Sequence, residues 1–331
     1  SHAGGRPVSP ARNRRPQRGA ALLLAMLTVT LVASLAAAAL WQQWRATEIE
    51  VAERQRQQAS WILTGALDWS RLILREDARG NRNAGHADHL GEPWAMPLEE
   101  ARLSSFLAVD RDNSADEVMQ AFLSGEVIDM QSRLNFLNLV RKVNTEGNAR
   151  IEVSQPDLTA FTRLYELLNL PAPELTAAVE ALRATYIQAE NDPMPSPTPL
   201  VPRKLAHLAW LGLSPASLAA LEPHVTVLPQ RTTLNLNTAH VRTLAASVPG
   251  LDLALAQLLV TERERRPFIQ VEDAARILNN EAVRFSQQYH GTRSRFFEIR
   301  GRLRLDDAVV EERSLVVRNN LEVRVLWRER I

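Results

Sequence analysis

The chain has 331 residues, of which 45% are hydrophobic and 23% charged, enough to bury a sizeable core in two or three domains. Its net charge of +1 hides an asymmetry: without the five arginines of residues 1–19, 34 basic residues face 38 acids, a balance of −4 that argues against nucleic acid as a partner. There is no cysteine, which excludes disulfide and thiolate chemistry.

Arg6, Arg12, Arg14, Arg15 and Arg18 precede a stretch from Ala20 to Leu40 that carries no charge. As a helix that stretch is about 30 Å long, enough to cross a hydrocarbon core. A secretory signal peptide has an apolar region of about 7–15 residues before a small-residue cleavage site. "SLAAAAL" offers such a site, but the apolar run is longer and the helical pattern continues past it. From Gln42 to Asp77 there is no proline, and Ile62, Leu63, Ala66, Trp69 and Ile73 recur at the spacing of one helix face, until "RGNRNAG" supplies stop signals from Gly80. The pattern predicts one helix from about Ala20 to Arg79, its first third in the membrane and its last third packed on a domain. The basic side of the span is expected to be cytoplasmic, with the bulk of the protein across the membrane. Within the span, Thr28, Thr30 and Ser34 can bond back to the helix or across to another, and Ala33 with Ala36–Ala39 gives a smooth packing surface.

Next in the chain, "HADHLGE" gathers His86, Asp88, His89 and Glu92, metal-ligand types at close spacing in a glycine-containing loop. "RLSSFLAVDRD" and "VIDMQSRLN" alternate as strands do. Between them, "DRDNSAD" sets Asp110, Asp112, Ser114 and Asp116 at alternate positions, like the start of a calcium loop. Ala115 and Ala121 stand where such a loop needs a glycine and a bidentate acid, and the competing reading is a solvated acidic turn before a helix, "ADEVMQAFL".

From Asn144 to about Gly291 the sequence reads almost wholly helical, with a faint repeat of two apolar helices joined by a turn holding Pro171, Pro215 or Pro249. "NDPMPSPTPLVP" is a proline-rich linker too poor in apolar residues to pack. The turn Pro249-Gly250-Leu251-Asp252 has the outline of a phosphate-holding hairpin, but Asp252 brings a negative charge where a second glycine would stand. Arg263, Arg265 and Arg266 are interleaved with Glu262 and Glu264, which favours a protein-binding hairpin over a DNA-binding one. At the C-terminus, "RFFEIRGRLRL", "ERSLVVRN" and "NLEVRVLWRER" read as strands, with turns at "LDDA" and "RNN". The expected class is α+β, with antiparallel strands enclosing a helical insertion. No nucleophile, base and orienting acid group together, so no enzyme is expected.

The junction Arg18-Gly19-Ala20, a basic leader ending in glycine before an apolar helix, resembles type IV pilin and pseudopilin precursors. That resemblance implies cleavage by a prepilin peptidase between Gly19 and Ala20, with the helix kept as anchor. Counting from Ala20, the fifth residue is Leu24, where most members carry a glutamate that neutralises a neighbour's terminal amine. Its absence implies a subunit with no neighbour above it. An opening at Ser1 rather than Met is expected of a leader whose first residues are missing or replaced.

"DHLGEPWAMPL" (Asp88–Leu98), "GEVIDMQSRLNFLNLV" with Asn135 and Asn138, and the stretch from Leu234 to Asp273 extend the match. Together they resemble the general secretion pathway protein K family, the largest minor pseudopilins of type II secretion systems. The resemblance implies a leader over 1–19, a long helix over 20–80 that spans the inner membrane at 20–40, a pilin-like α/β domain split between 81–144 and 292–331, and a helical domain inserted over 145–291. It implies a single-pass protein with its bulk in the periplasm, at the tip of a pseudopilus, supporting export of folded proteins. Implied partners are I- and J-type pseudopilins, the prepilin peptidase, exported proteins and the outer-membrane channel, with no nucleic acid. Some relatives bind calcium in the insertion through an acidic cluster, of which "RATYIQAENDPM" keeps Glu190 and Asp192; these and Asp110, Asp112 and Asp116 are the candidate ligands. The rival readings are a membrane-anchored helix-hairpin protein of DNA uptake and a tip subunit of a type IV pilus.

Overall fold

The computed structural model describes residues 18–80, 86–102, 121–145, 148–191, 200–305 and 308–331. The chain divides into two compact units, Ser1–Gln58 and Ala59–Ile331. Helix α1 (Arg18–Gly80) runs through both. It contains the one stretch among the described residues that is long and apolar enough to cross a membrane. Leu22, Leu27, Leu31 and Leu35 are exposed there, as lipid-facing side chains would be. The hydroxyls of Thr28, Thr30 and Ser34 donate to the carbonyls of Ala25, Leu27 and Leu31 at 2.9 Å, so they bond back to their own helix.

In the second unit a five-stranded sheet forms from β1 (Leu98–Arg102), β2 (Ala121–Asp129), β9 (Phe296–Leu305), β10 (Ala308–Asn319) and β11 (Glu322–Arg330). They lie in the order β1-β2-β9-β10-β11, every neighbour antiparallel. The last two hairpin strands turn at Asn320, whose φ of 56° uses asparagine's tolerance of the left-handed region. One sheet face carries Leu123, Phe297, Ile299, Leu303 and Val316, and Ala59, Leu63, Leu67 and Leu74 of α1 bury against it. The spacing of four, four and seven is one stripe of a 3.6-residue helix, and each fully buried leucine contributes about 1.5–3 kcal/mol. Polar groups fix the helix on the last strand: Arg71 donates to the Val323 carbonyl at 3.0 and 2.8 Å, and Arg328 to the Thr64 hydroxyl at 2.9 Å.

Three expectations change. Trp69 lies on the outer side of α1, because the sheet-facing stripe is centred on Leu63, Leu67 and Leu74 rather than on Ile62, Ala66 and Ile73. Ala121-Phe122-Leu123 is strand rather than helix, since Ala121 and Leu123 drop into the α1 face while pairing with Leu305 and Leu303; the remainder of "ADEVMQAFL", and "LSSFLAVDRD" of the expected first strand, lie outside the described residues.

The stretch after Asn144 is also not wholly helical. β4 (Val140–Thr145) and β5 (Asn148–Val153) form a hairpin, in which Ile151 and Val153 face the core while Arg150 and Glu152 are exposed.

The chain leaves the sheet after β2 and returns at β9, whose ends pair at Asp129 and Phe297. In between, one core gathers around the hairpin, α2 (Gln155–Leu167), α3 (Ala172–Asn191) and α4 (Pro215–Leu221), with Phe136, Phe161 and Leu182 at its centre. A second core forms from α5 (Val241–Ser247), α6 (Leu253–Arg265) and α7 (Val271–Leu278), around Leu244, Leu259 and Phe268.

The two cores are closed alike. β3 (Leu134–Asn135) pairs in parallel with β6 (Val225–Thr226), and β7 (Leu234–Asn235) with β8 (His290–Gly291). In each the asparagine Oδ1 accepts from the amide two residues on, Asn135 from Leu137 and Asn235 from Asn237. Asn138 then clasps the backbone of Thr232 with both amide atoms, and Asn237 does the same to Phe268.

Candidate functional site

Gly19 and Ala20 lie in the first turn of α1, and Leu24 follows one turn later, 67% exposed. Farther along, the side of α1 turned away from the sheet carries Trp61, Gly65 and Trp69, one and two turns apart. Trp61 is 78% and Trp69 64% exposed, and a Cβ placed on Gly65 would meet nothing within 4 Å. Two large aromatics therefore flank an open notch, a shape suited to receiving another helix.

A buried polar junction lies where the insertion meets the sheet. Asp129, 2% exposed at the end of β2, accepts the Gln131 amide on Oδ1 at 2.8 Å. Its Oδ2 accepts from Asn235 Nδ2 at 3.0 Å, Thr238 Oγ1 at 2.6 Å and Ser294 Oγ at 2.6 Å. Burial pushes its carboxyl up to about 6, against the downward pull of the Ser294 and Thr238 hydroxyls. Asn235 also donates to the Asp88 carbonyl, and Asp88 Oδ2 accepts the Ser294 amide at 2.6 Å. Arg318 then reaches in from β10, donating through one nitrogen to Asp77 Oδ2 at 2.7 Å and through the other to Asp88 Oδ1 and the Ser294 carbonyl. Its guanidinium lies 4.8 Å over the Phe297 ring.

Asp77, Asp88 and Glu92 bring ligand oxygens within 4.8 Å of one another, so two of the four metal-type residues of "HADHLGE" do converge, with Asp77 added from α1. Their existing bonds explain the convergence without an ion. Arg318 takes Asp77 and Asp88, while Glu92 accepts the His89 amide at 2.9 Å and Trp94 Nε1 at 2.7 Å. Burial pushes the Glu92 carboxyl up to about 7, and burial lowers His86 and His89. Of the candidate calcium ligands, Asp110, Asp112, Asp116 and Asp192 lie outside the described residues; Glu190 is in the last turn of α3, and its side chain is not described.

The hairpin of α5 and α6 turns at Gly250, with φ +80°, where a Cβ would fall 2.0 Å from the Ala282 carbonyl oxygen. Asp252 caps α6, its carboxylate accepting the Leu255 amide at 2.8 Å, so a negative charge occupies the end of the helix that an anion would use. Arg263 is buried and donates to the carbonyls of Leu236 and Ala239 at 2.7 Å, and Arg265 pairs with Glu262. Arg263 thus holds the fold together, while Arg265 stays in an exposed ion pair along its own helix.

Several comparisons bear on this architecture. The family model described as Type II secretion system (T2SS), protein K matches residues 234–293, from the second asparagine clasp through β8. The chain is similar to type II secretion system protein K of Pseudomonas aeruginosa, 25% identical over 312 residues, covering 89% of this chain and 86% of the relative. It is similar to the protein of the same description from Pectobacterium carotovorum subsp. carotovorum, 25% identical over 345 residues and covering 96% and 97% of the two chains. Its fold matches a chain of the crystal structure of the GspK-GspI-GspJ complex from the enterotoxigenic Escherichia coli type 2 secretion system, with a TM-score of 0.56 and 16% identity, over 84% of this chain and 98% of that one.

Two outcomes follow from the buried junction. Replacing Arg318 by methionine leaves Asp77 and Asp88 without their cation, and urea unfolding is expected to show a loss of about 3–5 kcal/mol. Asp129 binds its proton more tightly folded than unfolded, so its contribution to stability is full below pH about 4 and is lost as pH rises through about 6. The Asp129→Asn variant has no such loss. Its stability relative to the unsubstituted protein should therefore improve as pH rises from about 4 to about 6 and level off above that, and a pH-independent difference would exclude the shift.

Proposed function

Since the chain belongs to the type II secretion system protein K family of minor pseudopilins, we propose that it caps the tip of a pseudopilus and supports export of folded proteins through assembly. The prepilin peptidase removes the basic leader between Gly19 and Ala20, and the apolar part of α1 stays as a single inner-membrane anchor. The N-terminus is cytoplasmic and the bulk periplasmic. Leu24, in place of a carboxylate, suits a subunit with no neighbour to neutralise above it.

The observation that carries this reading is the outward line Trp61–Gly65–Trp69 on a helix whose opposite face is already buried in its own sheet. Exposed tryptophans flanking a glycine form an interface waiting for a partner, and tryptophan is enriched among residues that dominate binding energy. The partners are other minor pseudopilins, of the I and J types that accompany protein K in the solved E. coli complex. The mass of chain between β2 and β9 is the cap, the part available to exported proteins and the outer-membrane channel. The α5–α6 hairpin gives the DNA-uptake alternative no support, because Asp252 caps its helix and Arg263 is spent on backbone carbonyls.

The full chain in detergent is expected to co-purify with its cognate I- and J-type pseudopilins and to show no salt-dependent retention on duplex DNA. Trp61→Ala with Trp69→Ala, both in solvent, should weaken that complex by about tenfold or more without changing the fold. Unchanged affinity would remove this face of α1 from the interface. Co-expression with a prepilin peptidase should shorten the chain by residues 1–19, read by intact mass, and Gly19→Val should abolish the shortening.

A further inference from the structure

The two helical cores do not close completely on one another. Between them lies a cleft of about 430 Å³, within the range of sites that hold small ligands or a few side chains. Leu134, Ala160, Ala246, Pro249 and Phe285 give it a largely apolar lining. Its walls are held apart and in register by hydrogen bonds: Arg163 of α2 donates to the carbonyls of Val248 and Leu251 at 2.8 Å, and the Arg284 amide donates to the Pro249 carbonyl at 3.0 Å.

Most polar groups along the cleft are already committed. Asp157 is held by the Ser154 hydroxyl and by Arg231 at 2.6 Å, and His290 Nδ1 accepts the Ser286 amide at 3.1 Å. Two guanidiniums are not. The side chains of Arg133 and Arg284 make no hydrogen bond or ion pair with any described residue, nor does the Tyr289 hydroxyl. Arg133 is half-buried, and Glu298 and Glu222 act on it from beyond ion-pair distance, with Glu298 already engaged by Arg300 at 2.6 Å. An apolar cleft edged by two uncommitted guanidiniums complements a carboxylate on an apolar body, since guanidinium and carboxylate match in bidentate geometry. A nucleotide fits it less well. Phe285 packs edge-on to His290 and Arg231 lies over one face of Tyr289, so the aromatic rings at the cleft are already engaged with other side chains.

We propose that this cleft binds an extended apolar polypeptide segment that presents a carboxylate to Arg133 and Arg284. A fluorescein-labelled pentapeptide of leucine and alanine with a free C-terminal carboxylate, titrated with the full chain in detergent, tests it by anisotropy. The acid form should bind, with the C-terminal amide about tenfold weaker, because one charge-assisted contact is lost. Arg133→Ala combined with Arg284→Ala should cost the acid form the same factor and leave the amide unchanged. Arg284→Ala alone, at an exposed side chain that holds nothing in the fold, gives a second reading should the Arg133 substitution disturb folding. Absence of binding by either peptide, equal binding of acid and amide, or displacement by an equal concentration of inorganic phosphate would each overturn the proposal.

Discussion

The Asp129 carboxylate is the point on which the second unit depends. The sheet must let go of the chain after β2 and recover it at β9, and the two ends meet beside this one side chain. Four donors converge on it from Gln131, Asn235, Thr238 and Ser294, so the departing segment, the β7 segment and the returning segment are tied at a single atom pair. An ionised carboxylate is acceptor-only and can take all four, and when it holds a proton the Ser294 or Thr238 hydroxyl can turn to accept it. Burying that charge is unfavourable, which is why its carboxyl is pushed upward, and the hydrogen bonds offset the cost only because all of them are made.

From that point the polar junction spreads to α1 and β10. Asp88 links Ser294 to Arg318, and Arg318 links both to Asp77 near the end of α1. Helix, sheet and insertion thereby share one buried network. The asparagine clasps extend the same logic outward, with Asn138 and Asn237 each satisfying a remote backbone amide and carbonyl that would otherwise be buried without partners. These contacts align strands only two residues long, which ladder hydrogen bonds alone would not hold.

Periodicity made α1, the C-terminal strands and the turn at Asn320 readable, because each presents a regular apolar repeat or a local turn preference. β5 was lost inside a helical stretch, since six residues of Asn-Ala-Arg-Ile-Glu-Val are too short to outweigh the helices around them. The junction was illegible for a different reason. Its members come from six separate segments, and spacing says nothing about which segments meet. Asp88 and Glu92 stood out only as metal-ligand types, and those types serve equally in ion pairs and in caps. One signal was present and overlooked: Arg318 falls in register with Val316 on the inward face of a strand, and an inward charge requires a partner. Glu312, inward on the same strand, obeys the same rule and meets Arg328 at 2.5 Å.

The part of α1 from Ala59 onward is a two-sided element, and the two sides answer to different selection. Ala59, Leu63, Leu67 and Leu74 are held by the sheet, where a lost methylene opens a cavity. Among the described residues nothing hydrogen-bonds to or stacks on Trp61 or Trp69, so the described fold gives no reason for tryptophan at either position, and smaller polar residues would serve its stability as well. Large aromatic surface left in water carries a solubility cost unless it is covered in the working assembly. The insertion, fastened to the sheet through Asp129 and Arg318, must follow wherever that helix docks. A partner that seats on the outer face of α1 therefore fixes the direction in which the helical cores and the cleft between them point.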